Sequence, residues 1–445
     1  MVDFFTASAA ELGRAIGLGK ADPMELAEAF LERIDVADPN RQIYARTTPE
    51  RAIAEAAASS ERARAGRRRT LLDGVPVSWK DLFDTQGVAT ESGSLLLEGR
   101  VPTKDAKLLS IATEAGMVCL GKTHQTELAF SGLGVNPVTA TPPNKAIPDH
   151  APGGSSSGAA ASLAHGLAAL AMGSDTGGSV RIPAAWNNLA GLKITWGMLP
   201  DAGMVPLCPS FDTPGPLART VEDLAIAFDI LKGGSGHAAF VPAASLAGVR
   251  FHVAETIVLD ECDQETRNAF ETAVERLAKA GARISRGPVD AFGPIAAIGP
   301  KLYPFEAWRE WGTLIEAEGT KMFEPVRRRF SQGKSVTAGE YEAARQEMTR
   351  LRQAFLDDTQ AVDAVLMPTV PILPPKVDEL LADPDHFTAR NLLALRNTRF
   401  ANTLGLCAIT LPLPEKASGL QLLGKPFGDT RLLSIAGATE RVLAG

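Results

Sequence analysis

The chain has 445 residues, 45% hydrophobic and 22% charged, a balance that supports a sizeable buried core and excludes a disordered chain. A net charge of −7 excludes a general polyanion binder, because duplex binding rests on a basic surface that neutralises phosphates. No apolar run is long enough to span a bilayer, Met1 to Phe5 lacks the features of a secretory signal, and Cys119, Cys208, Cys262 and Cys407 show no metal or disulfide spacing. These features predict a cytoplasmic protein with no membrane or nucleic-acid partner and no metal.

Two helices open the chain, since Ser8 with Glu11 and Asp22 with Glu25 both have capping-box spacing and Pro23 suits a first helical position. An Ala- and Glu-rich helix then ends near Gly66, and the cluster Arg62, Arg64, Arg67, Arg68 and Arg69 reads as solvated cations that complement its terminal carbonyls. The apolar run Val75 to Trp79 predicts a strand that delivers Lys80 to its end. A helix over Asp105 to Ala115 and a strand over Met117 to Leu120 follow, and this alternation predicts an α/β fold.

Between Gly132 and Gly158 there are too many Gly, Pro, Ser, Asn and Thr residues for regular structure, so a long ordered loop is expected. A helix of small residues from Ser156 to Gly166 leads to a strand over Leu167 to Met172 and a second Gly-rich turn, Gly173 to Ser179. Thr220 with Asp223 caps a helix running to Leu231. Residues 237–345 carry charged helices over Asp263 to Ala280 and Phe323 to Phe330 and a stretch with Tyr303, Phe305, Trp308 and Trp311; this section is expected to decorate the core and wall a pocket. Strands return at Ala364 to Met367, Ala408 to Leu413 and Leu420 to Leu423, before a terminal helix that Asp429 would cap.

Three segments carry chemistry together: Ser78-Trp79-Lys80-Asp81, Gly153-Gly154-Ser155-Ser156-Ser157-Gly158, and Asp175-Thr176-Gly177-Gly178-Ser179-Val180-Arg181. Amide hydrolysis needs a nucleophile, a base, an acid for the nitrogen leaving group and donors for the oxyanion. Ser179 supplies a hydroxyl, and the backbone N–H groups of Thr176, Gly177, Gly178 and Ser179 can converge on one oxygen because glycine permits close approach. Lys80 is a base only when neutral, so its pKa of about 10.4 must fall through burial or a neighbouring positive charge. Ser155 would relay the proton between Ser179 and Lys80.

These segments resemble the amidase signature family, whose members use a Ser–cis-Ser–Lys triad. The resemblance includes Arg181-Ile182-Pro183-Ala184 and Ser210-Phe211-Asp212-Thr213-Pro214-Gly215-Pro216 and extends more weakly over most of the chain, least over 237–345. It implies Lys80 as base, Ser155 as the cis-serine after a cis peptide from Gly154, Ser179 as acylated nucleophile and an oxyanion hole at Thr176 to Ser179. Asp175 and Arg181 would brace the turn as an ion pair, with Ser156 in support. Ser78-Trp79 before the lysine, Ser155-Ser156-Ser157-Gly158 in the second segment, and the prolines with Asp149-His150 between Val135 and His150 depart from the usual pattern.

One amidase domain spanning 1–445, variable at about 237–345, is therefore expected: a large twisted mixed sheet flanked by helices. It would cleave a small carboxamide through an acyl-enzyme without a cofactor, with a homodimer left open. The main alternative is the amidase component of a glutamine-dependent tRNA amidotransferase. Another is a nucleophile elbow in Gly154-Ser155-Ser156-Ser157-Gly158, with Ser156 as nucleophile, but Pro152-Gly153-Gly154 argues against the strand it needs. The aromatic group at 303–311 could line a pocket or fill the core, and Arg309 or Lys301 could bind a substrate carboxylate.

Overall fold

The computed structural model describes residues 3–237 and 240–444. Among these, eleven strands form one mixed sheet: β1 Tyr44–Thr47, β2 Pro76–Lys80, β3 Val118–Thr123, β4 Leu170–Ser174, β5 Ala190–Lys193, β6 Pro214–Ala218, β7 Arg250–Ala254, β8 Arg283–Gly287, β9 Ala364–Pro368, β10 Ala408–Pro412 and β11 Gly419–Leu423. The spatial order is β1-β3-β2-β4-β6-β5-β10-β11-β9-β7-β8, with helices between the strands as an α/β fold requires.

The arrangement around β2 positions the chemistry. β3, β2 and β4 run parallel, and every residue of the three is buried, as expected for parallel strands covered on both faces. Lys80 at the end of β2 pairs with Thr123, and Trp79 pairs with Met172, so the end of β4 projects beside Lys80. β6 returns antiparallel along β4 with Pro214 opposite Ser174, which brings residues 210–213 against the turn that follows β4. The carboxyl ends of parallel strands are the usual location of ligand crevices in such sheets.

The helix Ser157–Ala164 packs on this region, and its residues Ser157 to Leu163 are all buried. Its small side chains permit the close approach in which Ser78 Oγ and Ser162 Oγ share a hydrogen bond of 2.8 Å. The following strand starts at Leu170 rather than Leu167. Leu167 N–H closes back on the Ser162 carbonyl at 2.7 Å, and its own carbonyl accepts from the Tyr44 hydroxyl at 2.9 Å, so this residue is used by a turn.

Several local expectations need amendment. Ser8 and Glu11 form a full capping box, whereas Asp22 caps its helix by accepting from Met24 N–H without a reciprocal bond from Glu25. Asp429 begins the terminal helix, but its carboxylate accepts from the Thr195 N–H and hydroxyl instead. The arginine cluster is not merely solvated: Arg62 pairs with Asp73 at 2.6 Å, and Arg68 donates to the carbonyls of Gly13, Leu71 and Asp73. Residues 237–345 do more than decorate, since β7 and β8 extend one edge of the sheet before the long helix Phe292–Glu318 begins.

Candidate active site

Lys80 leaves the end of β2 with 0% exposure. Its Nζ donates to Ser155 Oγ at 2.7 Å and to Ser174 Oγ at 2.8 Å. Burial pushes the amine down to about 7, and the charges of Asp175 and Asp212 oppose that shift without cancelling it. An amine that loses its proton near neutrality can act as a general base at ordinary pH.

Ser155 ends the long loop and follows a cis peptide bond from Gly154. Gly154 N–H donates to the Gly132 carbonyl at 2.8 Å, and the Ser155 carbonyl accepts from Thr126 N–H at 3.1 Å, so backbone bonds hold the loop on both sides of the cis bond. A Cβ on Gly154 would stand 2.6 Å from Thr126 Oγ1 and 2.7 Å from Gly134 N, which restricts this position to glycine.

Ser179 lies in the turn after β4, 4% exposed, and lines a small cavity with Thr176, Gly177, Tyr303, Arg329 and Arg399 among the walls. Its carbonyl accepts from Ser156 N–H at 3.2 Å, which ties the two serine loops together. Ser155 Oγ is in contact with Lys80 Nζ, and among the described residues no hydrogen bond joins it to Ser179 Oγ. Catalytic hydrogen bonds often close only around substrate.

Asp175 organises the turn. Its carboxylate accepts from Gly178 N–H at 2.8 Å, Val180 N–H at 3.2 Å and the Arg181 guanidinium at 2.8 Å. The Arg181 charge and hydrogen bonds hold Asp175 down at about 2 against the effect of burial. Arg181 spends its remaining donors on Thr398 O, Gln421 Oε1 and Asn402 Oδ1. The expected bracing pair is thus present. The expected set of four oxyanion donors needs correction, because Gly178 N–H is committed to Asp175. The N–H groups of Thr176, Gly177 and Ser179 have no protein acceptor among the described residues.

Thr176 Oγ1 donates to Asp212 Oδ1 at 2.6 Å and Thr213 Oγ1 donates to the Asp175 carbonyl at 2.6 Å, so the Ser210 to Pro216 segment clamps the turn from outside. Ser156 Oγ faces the backbone of Ser174, with both contacts at 3.3 Å, and does not line the cavity. No histidine among the described residues lines it either, so the site lacks the parts of a Ser156-centred elbow.

The sequence reading did not identify Ser174, Arg329 or Arg399. Ser174 depends on the parallel register of β2 and β4. Arg329 carries a periodic signal, since it lies three residues after buried Val326 and beside buried Phe330 on the helix Glu324–Ser331. Arg309 and Lys301 do not line the cavity: Arg309 lies over Phe305, 5.9 Å from the ring centre, and Lys301 is 3.6 Å from Glu340. Of the four aromatics, only Tyr303 reaches the cavity; Phe305 stacks on Tyr341 and Trp311 Nε1 donates to the Pro206 carbonyl.

Comparison with known proteins finds relatives that span nearly the whole chain. The Amidase family model matches residues 25–433. The chain is 36% identical over 417 residues to 2-amino-5-chloromuconic acid deaminase of Comamonas testosteroni, covering 91% of this chain and 89% of that protein. It is 31% identical over 479 residues to the A component of the glutamyl-tRNA(Gln) amidotransferase of Chloroflexus aggregans, covering 99% and 96%. The crystal structure of an amidase superposes with a TM-score of 0.88 at 29% identity, covering 98% of this chain and all of the other.

Proposed function

The chain belongs to the amidase family and is a carbon–nitrogen hydrolase acting on amides, and on that premise we propose that Ser179 attacks the substrate carbonyl, Ser155 relays its proton and Lys80 receives it. The observation that carries this reading is the 2.7 Å contact between Lys80 Nζ and Ser155 Oγ at an amine closed to solvent. A neutral amine has two N–H groups and one lone pair. Donation to Ser174 and acceptance from Ser155 use both neighbours in the manner the relay requires.

In the first half-reaction Ser179 Oγ bonds to the carbonyl carbon as its proton passes to Ser155 and that of Ser155 to Lys80. The oxyanion is received by the free N–H groups of Thr176, Gly177 and Ser179, each worth about 3 kcal/mol to the transition state. The proton returns along the same path to the departing nitrogen, and ammonia or an amine leaves an acyl-Ser179. Water then repeats the sequence. The Asp175–Arg181 pair, Ser156 and Asp212 position the turn without touching the reacting atoms.

The 31% identity to an amidotransferase component over nearly the full chain favours one second reading, in which ammonia from glutamine is passed to a partner. An amide and ester panel, including glutamine, on the purified chain and on Ser179→Ala tests both. Hydrolysis of small amides by the chain alone, abolished in Ser179→Ala, supports the free-standing enzyme; activity confined to glutamine and dependent on a partner supports the other. Undiminished hydrolysis by Ser179→Ala overturns both.

The same proposal treats residues 1–445 as one amidase unit, supported by the single sheet that gathers strands from Tyr44 to Leu423. It includes a cytoplasmic setting, supported by four unpaired cysteines. Among the described residues no helix is long and apolar enough to cross a membrane. It also includes no nucleic-acid partner and leaves a homodimer open.

A further inference from the structure

Two guanidinium groups face the Ser179 cavity without an acid to balance them. Arg329 donates Nη1 to the Phe130 carbonyl at 2.9 Å and lies 4.1 Å from the centre of the Phe130 ring. Arg399, from the helix Pro384–Thr403, lies 5.5 Å from the centre of the Tyr303 ring. Its side chain passes the turn beside the nucleophile so closely that a Cβ on Gly177 would sit 3.4 Å from its Cγ and 3.7 Å from its Nε.

Other cations inside the fold are provided for: Arg181 has Asp175, Lys122 has Asp81, and Arg219 donates to several carbonyls. Among the described residues Arg329 and Arg399 form no ion pair, and the Arg399 guanidinium makes no hydrogen bond. Both side chains are half-buried, and partial loss of water lowers both guanidinium groups from the usual arginine range, with repulsion from Arg399 adding at Arg329. Two cations that line one cavity without a counter-ion favour an anion bound there. Planar guanidinium groups match a carboxylate in shape and charge.

We propose, resting on the amidase reading, that Arg399 and Arg329 bind a carboxylate carried by the acyl part of the substrate, so that the preferred substrates are monoamides of short dicarboxylic acids. The cavity also discriminates among anionic amides. Among the described residues its lining contains neither Asp nor Glu, and Leu395 occupies the wall beside Arg399, so an α-ammonium group has no acidic partner. An amide such as glutaramate, with a carboxylate and no ammonium, fits; glutamine carries a cation into a cationic site.

The test compares ammonia release from succinamate and glutaramate with that from the neutral diamides and from glutamine, using the full chain, Arg399→Met and Arg399→Lys. The expected result is a kcat/KM at least ~10-fold higher for the monoamides than for the diamides or glutamine, the scale of one charge-assisted hydrogen bond. That ratio should fall ~10-fold or more in Arg399→Met and recover in part in Arg399→Lys. Equal turnover of charged and neutral amides, or an unchanged ratio in Arg399→Met, overturns the proposal. Thermal shifts with free succinate and glutarate read carboxylate binding without catalysis: stabilisation of wild type that disappears in Arg399→Met supports the site even if Ser179→Ala shows the amidase reading to be wrong, and no stabilisation of wild type counts against it.

Discussion

Arg181 Nη2 donates to Asp175 Oδ1 at 2.8 Å with both side chains at 0% exposure, so opposite charges six residues apart neutralise each other inside the protein. The pair sets the shape of the turn that carries Ser179, because the same carboxylate also holds Gly178 and Val180 N–H. Asp175→Asn leaves Arg181 charged and without its counter-ion. A loss of about 3–5 kcal/mol of stability is expected, measured by urea denaturation, since removing one partner of a buried pair strands the other.

Ser174→Ala should move the pH dependence of catalysis rather than abolish it. Ser174 Oγ accepts from Lys80 Nζ at 2.8 Å, a bond that favours the ammonium form. Without it the amine deprotonates more readily, and the rising limb of kcat/KM against pH should move down by about half to one pH unit. A limb that stays in place while only the maximum falls would assign Ser174 to packing alone.

The two glycines of the turn should respond differently to alanine. Gly178 has φ +134°, and a Cβ there would meet Thr398 Oγ1 at 2.1 Å, so Gly178→Ala should lose about 1–3 kcal/mol of stability. A Cβ on Gly177 meets nothing closer than Arg399 Cγ at 3.4 Å, and Gly177→Ala should melt within about 0.5 kcal/mol of wild type. Thermal denaturation of the two variants side by side reads the contrast.

Glu127 supplies a separate pH dependence, of stability. Burial raises its carboxyl to about 7 despite hydrogen bonds from Ser94 Oγ and Phe323 N–H. The folded state therefore holds this proton when the unfolded chain has lost it, so the contribution is complete below about 4.5 and disappears as pH rises through about 7. The effect is on the order of 3 kcal/mol between these limits. Burial raises Asp223 and Glu440 as well, and they act in the same direction. Glu127→Gln should flatten the stability profile between about pH 5 and pH 8, measured by denaturant midpoints; an unchanged slope would remove Glu127 from the explanation.

The centre of this fold was legible because its signals are local. An apolar run ended by a lysine marks a buried parallel strand, and glycines around Ser155 and Ser179 mark loops where backbone must pass closely. The edge was harder to read. β8, Arg-Ile-Ser-Arg-Gly, lies at the border of the sheet, where charged residues discourage further pairing and also hide the strand pattern. Ser174 is one serine among several until the β2–β4 register places it against Lys80. Arg329 and Arg399 come from helices far along the chain, and no spacing in the sequence brings them to Ser179. Lys301 and Arg309 share their charge but sit on a different helix, Phe292–Glu318, outside the cavity lining.

The most direct test of the relay is the rate at which a fluorophosphonate modifies the protein as pH varies, with the adduct mapped, in wild type and Lys80→Ala. Modification at Ser179, with a rate that climbs through a midpoint near 7 in wild type and is at least ~100-fold slower and without that step in Lys80→Ala, is expected. A flat profile in wild type, equal rates in the two proteins, or an adduct on Ser156 would contradict a neutral Lys80 as the base.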